Sequence, residues 1–171
     1  VVLNISEDHL DRHLDMTAYA AAKARIFVGA GRRVINRDDP YNARWATADS
    51  VSFGLQAPTR DCDFGLVDGV LVRGTERLVA LSELKLVGLH NVANALAALA
   101  LCEAADLAPQ TAVAGLKTFT GLAHRVEFVA EIGGVRYYDD SKGTNVGATL
   151  AAIVGLGRPV AVILGGEGKG Q

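Results

Sequence analysis

Aromatic residues are scarce in this chain: one Trp, four Tyr and five Phe, 6% of 171 residues. The core must therefore be built mainly from Ala, Val and Leu. Cysteine is scarcer still. Cys62 and Cys102 lack metal-ligand spacing, and one pair makes no disulfide framework, so a reducing cytosol is the simpler expectation. There is no excess of positive charge, with 17 Lys and Arg against 19 Asp and Glu, a net charge of −2. That argues against nucleic acid or an anionic membrane as main partner. No apolar run approaches the length of a membrane span, and no signal peptide or internal repeat is visible. What is present is a globular composition, 50% hydrophobic and 21% charged with 19 Gly. The length suits one medium domain, or one domain and part of another. The chain opens at Val1 in an apolar strand and ends at Gln171 in a Gly-rich loop, which reads as a fragment.

Val1 to Ile5 reads as a buried strand running into the polar loop Ser6 to His13. A helix follows, capped at Asp15 or Thr17 and stopped by Gly29 and Gly31. Lys23 shares a helical face with Tyr19, Ile26 and Phe27, so it projects from the apolar side. The plainer reading is a stem that lies on apolar surface with its ammonium in water. Arg33 to Asn36 and Val51 to Phe53 read as strands, with the acids of Asn36 to Pro40 as turn formers. Short strands at Cys62–Val67, Val70–Arg73 and Arg77–Ala80 suggest an antiparallel meander at a sheet edge. A helix from Asn91 to Ala105 carries the apolar stripe Val92, Leu96 and Leu99. Asn91 is placed to cap it. Capping does not explain Asn94, whose amide offers a donor and an acceptor suited to a purine edge. A further helix follows Pro109.

Gly121 to Asn145, GLAHRVEFVAEIGGVRYYDDSKGTN, holds the densest polar set in the chain. Two strands, Val126–Ile132 and Val135–Tyr138, flank the hairpin signal Gly133-Gly134. Asp139 to Asn145 is then a polar loop at a strand's carboxyl end, where α/β sheets bind ligands, or a solvated turn feeding a helix cap. Asp139 and Asp140 are adjacent and face opposite ways if extended, so they cannot form an acid–base dyad. Thr144 or Asn145 caps a helix to about Leu156, and Val160–Leu164 reads as a buried parallel strand completing a right-handed crossover. The sequence after it, GGEGKG, lacks the spacing of a Walker A loop.

In order and spacing, NISEDHLDRH, AAKARIF, GLHNVANALAA, GLAHRVEFV, DDSKGTN and LGGEGKG resemble the Mur ligases across essentially the whole chain. The combination of HR, DSKxTN and GGxGK is most similar to the member that adds D-glutamate. The resemblance implies an α/β chain with the C-terminal part of a central ATPase domain over residues 1–122. The start of a Rossmann-like, glutamate-binding C-terminal domain would occupy residues 123–171. It implies a cytoplasmic enzyme that uses ATP and Mg2+ (or Mn2+) to join D-glutamate to UDP-N-acetylmuramoyl-L-alanine through an acyl phosphate in peptidoglycan synthesis. His9 would hold the metal, and Lys23 would be carbamylated to support it. Asn91 and Asn94 would contact adenine. Arg125 and Asp140 would bind the phosphate and ribose of ATP. Lys142, Thr144 and Lys169 would hold D-glutamate and the reacting phosphate. The family's phosphate-gripping Gly-rich loop is absent from these residues, so the chain by itself is expected to be inactive. Two alternatives stay open: another Mur or folylpolyglutamate-type amide ligase, or a non-catalytic nucleotide-binding module on the same fold.

Overall fold

A computed structural model of the chain describes residues 1–7 and 12–166. The first element is helix α1, Met16–Ala24, whose N-cap Asp15 accepts a hydrogen bond from Ala18 N at 2.8 Å. A 3-10 turn, Arg25–Phe27, extends it. Strand β1 (Val34–Asn36) is followed by the single-turn helix α2 (Pro40–Ala43) and strand β2 (Val51–Phe53). Strands β3 (Phe64–Val67), β4 (Val70–Arg73) and β5 (Glu76–Ala80) follow as a meander. Then come helices α3 (Leu89–Ala104) and α4 (Pro109–Thr118). Strands β6 (Glu127–Ile132) and β7 (Val135–Asp139) and helix α5 (Val146–Leu156) complete the described elements.

Strands β1 to β5 form one sheet in sequence order. The pairs β1–β2 and β2–β3 are parallel, and β3–β4–β5 are antiparallel, as the short strand runs anticipate. Strand alternation sorts the side chains of β1 onto two faces. Val34, with Val51, Phe53, Phe64 and Leu71, packs under Val92, Leu96 and Leu99 of α3. Ile35 joins Val2, Ile5, Tyr19, Ala20 and Phe27 on the α1 side. The sheet is thus covered on both faces, the arrangement parallel strands require. Polar staples fix its rim. Glu103 of α3 receives two hydrogen bonds from Arg73 of β4, at 2.6 and 2.7 Å, a fork that Arg geometry favours.

Asp39 and Asp63 show why acids can sit in this core. Asp39 accepts from Ile5 N and Asn42 N, both at 2.8 Å, pinning the chain start to α2. Asp63 accepts from Ser52 N at 2.9 Å and from Arg60 Nη2 at 2.7 Å. Burial pushes its carboxyl up, but the Arg60 and Ser52 bonds outweigh this and hold it below the usual carboxylate range.

Three expectations are corrected. Val1–Ile5 makes only one parallel bridge, Val2 to Ile35, and no continuous strand. Asn91 does not cap α3; Gly88 does, at φ 93°, a left-handed geometry that suits glycine. Asn91 instead donates from Nδ2 to Val87 O at 2.8 Å. Finally, Val160–Leu164 forms no strand, and Ile163 is fully exposed. An apolar run encodes burial, but a strand needs a neighbour for its N–H and C=O groups. Among the described residues β7 pairs only with β6, antiparallel, so the expected parallel crossover is not formed.

Candidate functional site at the junction of the two sheets

The β6–β7 hairpin turns at Gly133 and Gly134, both left-handed (φ 59° and 79°), as a two-residue connection between twisted strands demands. Its open end meets the segment that leaves α4. That segment is unusual in backbone as well as in polarity. His124 (φ 64°) and the β-branched Val126 (φ 49°) are both left-handed, a conformation L-residues adopt at a cost of order 1–3 kcal/mol.

Short hydrogen bonds hold this strained segment. His124 Nδ1 lies 2.7 Å from Asp139 Oδ2. Ser141 N donates to the other Asp139 oxygen at 2.9 Å, and His124 N donates to Glu127 at 2.8 Å. The His124 bond, with those from Ser141, draws the Asp139 carboxyl down to about 2. It is the acceptor, so Nδ1 of His124 carries the proton. Asp140 turns the other way, accepting from Val126 N at 3.1 Å, while Lys142 N donates to His124 O at 3.1 Å. The two acids thus hold different partners and are not bonded to each other as a dyad. Asn145 then caps α5, accepting from Ala148 N at 2.8 Å.

Arg125, Asp140, Lys142 and Thr144 are brought to one loop cluster, with Arg125, Lys142 and Thr144 exposed and Asp140 half-buried. The start of α3 reaches the same cluster: the His90 ring lies close enough to Asp140 to feel its charge, and Asn91 is the next residue. Asn94 lies exposed one turn further along α3. Ser6 packs on Gly147 in the first turn of α5. His9 and Lys169 themselves lie outside the described residues.

Lys23 is not in this cluster of bonds. It is exposed, with its ammonium 5.3 Å from the centre of the Tyr19 ring, and His13 approaches the same ring at 5.2 Å between centroids. Ile26, expected to flank it in an apolar setting, is itself 57% exposed. Lys23 therefore takes the stem-on-aromatic geometry of the plainer reading here. Among the described residues, the one set of three or more metal-capable side chains is His124, Glu127 and Asp139. His124 Nδ1 is bonded to Asp139, whose other oxygen accepts from Ser141 N, and Glu127 accepts from the His124 backbone N, so the set acts as a loop clamp. The described residues do not compose a magnesium site at Lys23.

Sequence reasoning passed over Gly88, His90 and Gly155. A glycine inside a helix is the signal that could have found them, because it costs helix stability and so marks a close approach.

Strand β7 thus ends in a polar, strained loop that lies beside the amide-bearing start of α3. Residues 1–102 match the Mur ligase middle domain, and the chain belongs to that family. Among curated relatives, the UDP-N-acetylmuramoylalanine–D-glutamate ligase of Dechloromonas aromatica (strain RCB) is 59% identical over 177 residues, covering 99% of this chain and 38% of the relative. That of Acinetobacter baylyi is 53% identical over 186 residues, covering all of this chain and 41% of the relative. The chain thus spans well under half the length of these relatives. Among solved structures, a pseudomurein peptide ligase type C from Methanothermus fervidus superposes with TM-score 0.73 at 21% identity, covering 94% of this chain and 41% of that one. MurF from Acinetobacter baumannii gives 0.65 at 24% identity, covering 87% and 35%. At these identities the structures establish a shared fold. No described helix is long and apolar enough to cross a membrane.

Proposed function

We propose that this chain is the segment of a D-glutamate-adding Mur ligase that joins its ATP-binding and glutamate-binding domains, with the boundary near residue 122. The observation that carries the reading is the convergence of Arg125, Asp140, Lys142 and the Asn91 end of α3 on one loop cluster. It is supported by 59% identity to a D-glutamate ligase over 99% of the chain. The change from a buried sheet to an exposed hairpin after α4 supports the boundary. The hairpin, loop and α5 stand as the start of the Rossmann-like domain.

In the reaction, an oxygen of the UDP-N-acetylmuramoyl-L-alanine carboxylate attacks the γ-phosphorus of ATP, and ADP leaves. The amine of D-glutamate then attacks the acyl phosphate; the C–N bond forms, phosphate departs and the amine loses a proton. Both partners are anions, so charge must be neutralised where they meet. The exposed cations Arg125 and Lys142 supply that from the hairpin side. Half-buried Asp140 is suited to ribose hydroxyls, and Asn91 and Asn94 to the adenine edge. Thr144 and Lys169 take the D-glutamate carboxylates, and His9 the metal that ATP brings with it. Carbamylation of Lys23 belongs to the assembled enzyme, where further structure would remove this exposed side chain from water. The enzyme acts in the cytoplasm, in peptidoglycan precursor synthesis.

No Walker A loop occurs in these 171 residues. The isolated chain should therefore hydrolyse no ATP, whereas a ligase of the relatives' full length carrying it should consume ATP only with both acceptor and D-glutamate. In that enzyme, Arg125→Ala should raise the KM for ATP about tenfold or more, the scale of one lost charge-assisted contact. Unchanged kinetics for ATP would reject the assignment.

A further inference from the structure

The His90 side chain, in the first turn of α3, reaches Gly155 of α5, and its surroundings are tight. A Cβ placed on Gly88 would sit 2.8 Å from its Cε1 and 2.9 Å from its Nδ1. A Cβ on Gly155, in the last part of α5, would sit 2.6 Å from Nδ1. The two glycines themselves nearly touch, the Gly155 Cβ position lying 3.5 Å from Gly88 Cα. Nδ1 is buried without a hydrogen-bond partner. The backbone of Ala151, one turn before Gly155, lies near enough to the ring to favour its protonated form. The imidazole therefore fills a slot that exists only because two glycines line it.

Such a slot is costly in two ways. A glycine within α5 weakens the helix by about 0.5–1 kcal/mol relative to alanine. A buried nitrogen without a partner loses its hydration. Neither cost improves the sheet core, which α3 builds with its Val92, Leu96 and Leu99 stripe. What the arrangement does fix is how α5 sits on the head of α3, and so where the loop before α5 lies relative to Asn91.

We propose that His90 is a positioning residue, a wedge seated between Gly88 and Gly155 that sets the register of α5 against the start of α3. Through that register it sets the spacing between Asn91 and the Asp140 loop. The inference deepens the ATP reading and rests on it only for the consequence in catalysis. His90 itself touches neither substrate nor cofactor in this role.

The wedge makes an unusual demand on a Gly→Ala change in a helix. Ordinarily that change stabilises. Here Gly155→Ala should speed amide hydrogen exchange of α5 in the 171-residue chain by about tenfold or more, while α3 amides near Leu96 and Leu99 stay protected. In a His90→Ala background the same change should no longer destabilise, since the added methyl enters the space the ring has left. This is a coupling that only neighbours show. Slower α5 exchange in Gly155→Ala, or equal effects with and without His90, would overturn the wedge. A measurement on the unaltered chain guards against misfolded variants: long-range 15N–1H spectra should show His90 with a bare Nδ1 and a protonated Nε2. A protonated Nδ1 in the neutral ring would overturn it too. In the full-length ligase, Gly155→Ala should then raise KM for ATP more than it lowers kcat. If exchange responds and KM does not, the wedge stands and the ATP assignment of the junction falls. If exchange does not respond, the wedge falls and that assignment is untouched.

Discussion

The two parts of this chain are stabilised by different physics. Through α4, strands such as Val51–Phe53 are buried along their whole length, and Phe64, Leu71, Leu96 and Leu99 are shielded from water. From β6 onward the hairpin is largely exposed, and Val129, Ile132, Val154 and Leu164 all face solvent. The first part has a core of its own. The second is held by turn geometry, helix caps, the His124–Asp139 clamp and a few points of docking on α3 and Ser6. Burial gives cooperative stability; local polar bonds give shape with little stability.

That contrast is sharpest under truncation of apolar side chains. Leu96→Ala should cost about 2–5 kcal/mol of unfolding free energy, because the side chain is fully buried between α3 and the sheet. Val129→Ala in β6, at 62% exposure, should change stability by less than about 0.5 kcal/mol. Denaturant titration followed at Trp45 measures both. Comparable losses at the two positions would mean the hairpin shares the sheet's core, and the contrast would be void.

A smaller effect tests whether the buried acid of the sheet is structural. Asp63→Ala leaves Ser52 N and the Arg60 guanidinium without their acceptor, which should cost about 1–3 kcal/mol. The sign with pH follows from its lowered carboxyl: the contribution is full above the ordinary carboxylate value and is lost as pH falls through the folded one. The difference in stability between wild type and Asp63→Ala should therefore shrink on acidification. A gap that widens instead would show that Asp63 is held neutral.

Sequence patterns made the sheet half legible because periodicity reports burial directly. The apolar stripe Val92, Leu96, Leu99 encodes which face of α3 meets the core. Glycines and caps were equally readable, as at Gly133-Gly134 and Asn145. Pairing was not. Val160–Leu164 has the composition of a strand, but composition does not name a partner, and none lies beside it among the described residues. The cap of α3 was misread because Asn is a common capping residue, whereas the N-cap is Gly88, at positive φ and with no side-chain capping bond. At the junction, the polar residue types identified the cluster. Its wiring, with Asp139 on His124 and Asp140 on Val126 N, depends on left-handed backbone at His124 and Val126 that no side-chain pattern announces.

The clamp offers the finest test of the comparison, because it should respond to acid without disturbing the sheet. Asp139 is held at about 2, first by the His124 bond and then by the bonds from Ser141. A carboxyl lowered in this way orders its loop above the ordinary carboxylate value, 3.8, and loses that contribution as pH falls through about 2. The group is solvated, so the effect is on local order and not on global stability. The 13C resonance of the Asp139 carboxyl should titrate near 2, and exchange of the Ser141 and Lys142 amides should accelerate over the same range. Asp139→Asn should abolish the step while leaving the α3 amides as protected as before. A midpoint near 3.8 would mean that His124 and Asp139 are not bonded in solution, and that the strained segment is held by something other than this clamp.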